Sequence, residues 1–197
     1  MRHRLRGRTL GRNPSHQRAL LRNLASALML TERDAEFDEN APKVKGRIVT
    51  TIAKAKEVRP LVEKCITLAC RSLQAEEAAR EFATKAERHS DAWQQWRASD
   101  RWQQWNAAIA PAVAARRRCL KLLGDKQAVR VLFDEIAPRF VDRPGGYTRI
   151  VRLAKPRLGD AGTRAILEFT GVRDRVMQRS QRPSFDDQPS ETSAESK

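Results

Sequence analysis

The chain has 197 residues, of which 39 are Lys or Arg and 24 are Asp or Glu, giving a formal charge of +15. That length suits one domain with appendages, and a hydrophobic share of 40% suffices for a modest core. No run approaches 18 apolar residues, which excludes a helical membrane span, and the charge surplus points to a polyanionic partner.

The surplus is unevenly laid out. Residues 1–30 carry seven arginines and no acid, and no long apolar block follows, which argues against a secretory signal. Arg2, Arg4, Arg6 and Arg8 alternate with other residues, Gly7 and Gly11 interrupt the run, and Arg12 closes it. Like charges this dense repel one another, so residues 1–12 are expected to form an extended basic arm that orders only against an anion. Guanidinium is planar and forked and matches phosphate better than ammonium does, which favours structured nucleic acid over a lipid surface.

Asn13-Pro14 marks a helix start, and Leu20, Leu21, Leu24 and Leu28 recur at helical spacing. Arg18 and Arg22 lie one turn apart on another side. Residues 31–46 read as a loop insertion, acidic first and then broken by Pro42 and Gly46. Arg47 to Thr51 is short and β-branched and reads as a strand, with Thr51 placed to cap a helix. In that helix Ala55, Val58, Val62, Cys65, Ile66, Ala69 and Leu73 form the core stripe, and Pro60 predicts a kink or local break.

Three cysteines are an odd number in a chain this long, which argues for a reducing compartment. Cys65 and Cys70 are not a CxxC pair, so zinc is not expected and both read as small core residues. Residues 74–115 read as a helical insertion. It contains a nine-residue repeat, Ser90-Asp91-Ala92-Trp93-Gln94-Gln95-Trp96 and Ser99-Asp100-Arg101-Trp102-Gln103-Gln104-Trp105. On one continuous helix the two tryptophan pairs would face opposite sides, whereas a cap at Ser99 or Asp100 would let them face one way. Packing of a helical hairpin against itself is the favoured reading, and an aromatic docking patch is the alternative.

Arg116-Arg117-Arg118 reads as a basic run at the edge of the next helix. Asp125 is expected to cap a further helix with the core stripe Val129, Leu132, Phe133 and Ile136, stopped by Pro138. Residues 143–146 are a turn, 147–153 and 165–170 are strands in one sheet with 47–51, and 173–197 read as a disordered tail. There is no GxxxxGK[ST] or GxGxxG, and no His stands in a pattern that would activate a Ser or Cys. Neither an enzyme, nor a cofactor or metal, nor a small-molecule substrate is expected.

The opening block, Met-Arg-His-Arg-x-x-Gly-Arg-x-Leu-x-Arg-Asn-x-x-His-x-x-Ala-Leu-x-Arg-Asn-Leu, resembles the start of the bacterial large-subunit ribosomal protein family L-seventeen. So do Val49-Thr50-Thr51-x-x-Lys54-Ala55-Lys56-Glu57, Ile66-Thr67-Leu68-Ala69, and Leu132-Phe133 through Gly145-Gly146-Tyr147-Thr148-Arg149-Ile150. The resemblance spans residues 1–30, 47–73 and 116–172. It implies an α+β fold in which a small mixed β-sheet of about three strands packs against several helices. It also implies a cytoplasmic structural protein bound to large-subunit ribosomal RNA near the nascent-chain exit region, beside other ribosomal proteins. The two insertions, Pro60 and the tail depart from the family pattern.

The expected RNA contacts are Arg2, His3, Arg4, Arg6, Arg8 and Arg12 of the arm, and His16, Arg18 and Arg22 of the first helix. Beyond these come Lys54, Lys56, Arg59, Arg139, Arg143, Tyr147, Arg149 and Arg157. Tyr147, His3 and His16 would stack on or donate to RNA groups. A free-standing nucleic-acid-binding or compacting protein is the alternative within the same chemistry.

Overall fold

The computed structural model of the chain describes residues 7–35 and 38–171. Helix α1 spans Pro14–Leu30; Asn13 accepts the backbone N–H of His16 through its side chain at 2.7 Å, and Pro14 occupies the first turn. The expected cap and proline therefore act together. After the acidic loop, strand β1 (Arg47–Thr51) leads directly into the long helix α2 (Ile52–Arg80), with Thr51 at its N-cap but making no side-chain cap bond. Pro60 does not break α2. It lies exposed, so its missing donor opens the ladder on the solvent side.

A short helix α3 (Asp91–Ala98) follows, and then α4 (Asp100–Leu123) returns antiparallel along α2. The insertion at 74–115 is therefore the far half of a two-helix hairpin rather than a separate unit. Arg116, Arg117 and Arg118 lie inside α4, not at its edge. Gly124 ends α4 in the left-handed conformation at φ 76°, where glycine carries no Cβ penalty.

Asp125 accepts the backbone N–H groups of Gln127 and Ala128 and starts α5 (Lys126–Val131). Pro138 does not stop the helical path. The chain passes through a π-helical turn at Leu132–Ile136 and a 3₁₀ turn at Ala137–Phe140, in which Pro138 takes a first-turn position. Strands β2 (Thr148–Arg152) and β3 (Arg164–Phe169) complete a three-stranded sheet of order β1-β3-β2. Both pairings are antiparallel, which corrects the mixed sheet expected: Val49 stands opposite Ile166 on β3, and Arg149 opposite Glu168. With helices packed on one face of this small sheet, the fold is α+β.

The core lies where α1, α2, the near end of α4 and the α5 region meet the inner face of the sheet. Ala165, Leu167 and Phe169 point into it from β3, as their alternation predicts. Val58, Val62, Cys65, Ile66 and Ala69 enter from α2, and Leu28 and Met29 from α1. The C-terminal carbonyls of α4 lack helical partners. Ser26 donates to Leu123 O at 3.1 Å and Arg22 to Lys121 O at 2.9 Å, so α1 closes that helix end.

Candidate nucleic-acid interface

The arm enters the described structure at Gly7. Arg8 lies 3.6 Å from Glu57 of α2, and its backbone carbonyl accepts from Gln17 Nε2 at 2.7 Å, which ties the arm to both helices. Gly11 sits at φ 96°, and a Cβ there would come within 3.1 Å of the His16 ring. Glycine is required at that point because the arm folds down onto the imidazole. Arg12 is exposed, and Arg18 donates weakly to Pro14 O at 3.4 Å from an exposed position. Arg2, His3, Arg4, Arg6 and the tail 173–197 lie outside the described residues.

The structure brings a second group of expected residues together. Lys56 and Arg59 of α2 and Arg149 of β2 line one cleft of about 490 Å³, joined by Arg152, Ile52 and Ile150. The cleft follows the free edge of β2, where the sheet meets the start of α2. Two of the four cations are already balanced: Arg59 donates to Glu63 at 3.1 Å, and Arg149 to Glu168 at 2.6 Å. Lys56 and Arg152 have no carboxylate partner among the described residues, so the cleft keeps a net positive field. Arg152 was absent from the expected contacts. Its position two residues beyond Ile150, at the strand end, was the available signal. Lys54 is half-buried and does not line the cleft.

Four further expected contacts have partners within the chain. Arg139 donates to Glu32 at 3.0 Å across 107 residues of sequence, and that carboxylate is only 5% exposed. Removing such a carboxylate from water requires a charge partner, and Arg139 supplies it. Arg157 forms a forked pair with Asp160, and that hydrogen bond, helped by the Gly162 N–H, holds the Asp160 carboxyl well below the usual range. Arg143 donates to Gly145 O at 3.0 Å, which folds it onto its own turn. Tyr147 is buried, its ring 5.1 Å from that of Phe140. Its ring faces therefore pack in the core rather than standing open for stacking.

The cysteines pack as expected. Cys119 Sγ lies 3.8 Å from the backbone oxygen of Cys65, and Cys70 Sγ 3.6 Å from that of Ala137. The hydrogen bond with Cys119 and burial push the Cys65 thiol up, and burial does the same for Cys70, which suits inert thiols. Among the described residues no group of three His, Cys, Asp or Glu side chains is placed to hold a metal ion, and no helix is long and apolar enough to cross a membrane.

At the hairpin tip the repeat is split between α3 and α4, as the cap at Ser99 allows. Trp96 and Trp105 meet edge to face with ring centres 5.6 Å apart, and Trp96 Nε1 donates to Phe82 O at 3.1 Å. Arg97 lies over both Trp93 and Trp102, at 5.1 and 5.8 Å from the ring centres. The four tryptophans thus pack the hairpin against itself.

Fold and surface together define a basic α+β protein with cations grouped along a cleft at the β2 edge. Comparison with known proteins makes this specific. Residues 20–170 match the family described as Ribosomal protein L17, and the chain belongs to that family. It is 66% identical over 195 residues to the large ribosomal subunit protein bL17 of Rhodopirellula baltica, covering 98% of this chain and 93% of that protein. Against the bL17 proteins of Nitratidesulfovibrio vulgaris Hildenborough and Thermomicrobium roseum the identities are 39% over 170 residues and 37% over 169. Both alignments cover 86% of this chain, with 88% and 98% of the respective relatives.

Proposed function

We propose that this chain is a structural constituent of the large ribosomal subunit. It binds ribosomal RNA near the nascent-chain exit region, lies beside other large-subunit proteins, and supports assembly and translation in the cytoplasm without catalysing a reaction. The observation that carries this reading is membership of the ribosomal protein L17 family across residues 20–170. The cationic cleft on the β2 edge and the arginines of the arm and α1 supply chemistry that suits it.

In mechanism, Arg12, Arg18, Lys56 and Arg152 displace counterions from RNA phosphates, and that release offsets the cost of ordering the arm. Arg59 and Arg149, held by Glu63 and Glu168, present fixed donors that set register rather than net attraction.

The test is sedimentation of the tagged full-length chain. It is expected to travel with the large subunit after a high-salt wash. A chain found wholly free of ribosomes would overturn the reading and favour a free-standing nucleic-acid-compacting protein. Deleting residues 1–12 is expected to flatten the salt dependence of RNA affinity, by about 0.7 in the log–log slope per lost single-strand phosphate contact.

A further inference from the structure

The triple arginine of α4 is divided between two faces of the α2–α4 hairpin. Successive helical residues turn by about 100°, so Arg116 and Arg118 point to nearly opposite sides. Arg116 is neutralised: it lies 3.2 Å from Glu76 and 4.0 Å from Asp134, and its guanidinium covers the Phe133 ring at 4.6 Å. Arg118 lines the opposite groove, of about 260 Å³, together with Arg71 and Leu68 of α2 and the small residues Ser72, Pro111, Ala114 and Ala115.

No acid enters that groove. Arg71, Arg118, the neighbouring Arg117, Lys64 two turns before Arg71, and Lys121 at the end of α4 are all exposed. Among the described residues the side chains of these five have no hydrogen-bond or ion-pair partner. The stripe is also continuous with the arm and α1. Glu57, two turns before Lys64 on α2, receives Arg8 of the arm, and the Lys121 carbonyl receives Arg22 of α1.

We infer that this face of the hairpin is a second RNA-binding surface, along which a sugar-phosphate backbone runs from the arm and α1 onto Lys64, Arg71, Arg118 and Lys121. The inference rests on the proposed ribosomal RNA reading and adds these four cations, which the sequence-based contacts do not include. The shape of the groove selects the occupant. Small lining residues let a backbone approach closely, and two guanidinium forks stand beside them to take phosphate oxygens. An acidic protein segment would need a deep apolar pocket for an anchoring side chain, and here Leu68 is the one large apolar residue in the lining.

The test uses the full chain and unmodified transcript of the large-subunit RNA, with affinity measured between 50 and 200 mM salt. The double variant Arg71→Gln/Arg118→Gln is compared with wild type and with Lys56→Gln/Arg152→Gln of the cleft. Two lost duplex phosphate contacts flatten the log–log slope by about 1.8, so the affinity lost across that salt range shrinks about tenfold. Arg71→Lys/Arg118→Lys, which keeps the charges, is expected to retain the wild-type slope. All variants should melt with the wild type, since the altered side chains are solvent-exposed and contact no partner.

A hairpin double variant that binds with the wild-type slope, while the cleft variant is flattened, overturns this inference and leaves the ribosomal reading standing. The same overturning follows if the hairpin variant keeps its RNA slope but loses a cross-link to a neighbouring protein. Wild-type binding with no salt dependence at all would remove both.

Discussion

The two ends of the α2–α4 hairpin are held by different means. At the near end Val62, Cys65, Ile66 and Ala69 of α2 and Cys119 and Leu123 of α4 are buried with residues from α1, β3 and the α5 region. At the far end the buried helix residues are the small Ser72, Ala79 and Ala112, and cohesion comes from half-buried tryptophans and the Trp96 hydrogen bond to Phe82 O. The near end therefore belongs to the cooperative core, and the far end opens on its own at lower cost.

The largest expected effect lies in the near region. Leu167→Ala, at a fully buried position of β3, is expected to lower global stability by about 3 kcal/mol in denaturant unfolding. A loss under about 1 kcal/mol would place the cooperative core elsewhere. Next comes Glu32→Gln, which strips Arg139 of its buried partner. Because Arg139 remains partly hydrated, the expected loss is about 1–2 kcal/mol in the same assay, below the cost of breaking a fully buried pair.

Asp125→Ala removes a side chain that caps two N–H groups where α4 hands over to α5, and should cost about 1 kcal/mol. Trp96→Ala sharpens the contrast. It is expected to speed amide exchange across Asp91–Ala98 while moving the global midpoint by less than about 0.5 kcal/mol. A global shift as large as that of Leu167→Ala would mean that the two ends fold as one unit.

Local signals were the readable ones. Asn13-Pro14, Asp125 and the alternation of Ala165, Leu167 and Phe169 each act within a turn or a strand, where cap and pleat physics decide the outcome. The stop expected at Pro138 failed, and Pro60 leaves α2 unbroken, because the penalty of a proline depends on its surroundings. Pro60 faces solvent inside a 29-residue helix held by tertiary packing, and Pro138 sits where a 3₁₀ turn has no need of its N–H.

The candidate contacts divide in the same way. The clustering of Lys56, Arg59 and Arg149 follows from elements that the pattern located. The engagement of Arg139 by Glu32 depends on a contact 107 residues apart, which no local spacing encodes. Tyr147 illustrates the same limit, since a tyrosine beside a glycine turn carries no mark of the aromatic pair with Phe140 that buries it.

The π-helical turn at Leu132–Ile136 acts as a one-residue phase shifter. Shortening it by a single residue into regular α-helix would rotate everything after it by about 100°. Arg139 would then swing away from Glu32, leaving a mostly buried carboxylate without its charge partner, and Phe140 would leave Tyr147. Chain length in this stretch is thus as tightly determined as side-chain identity, and a deletion there would do more damage than most substitutions.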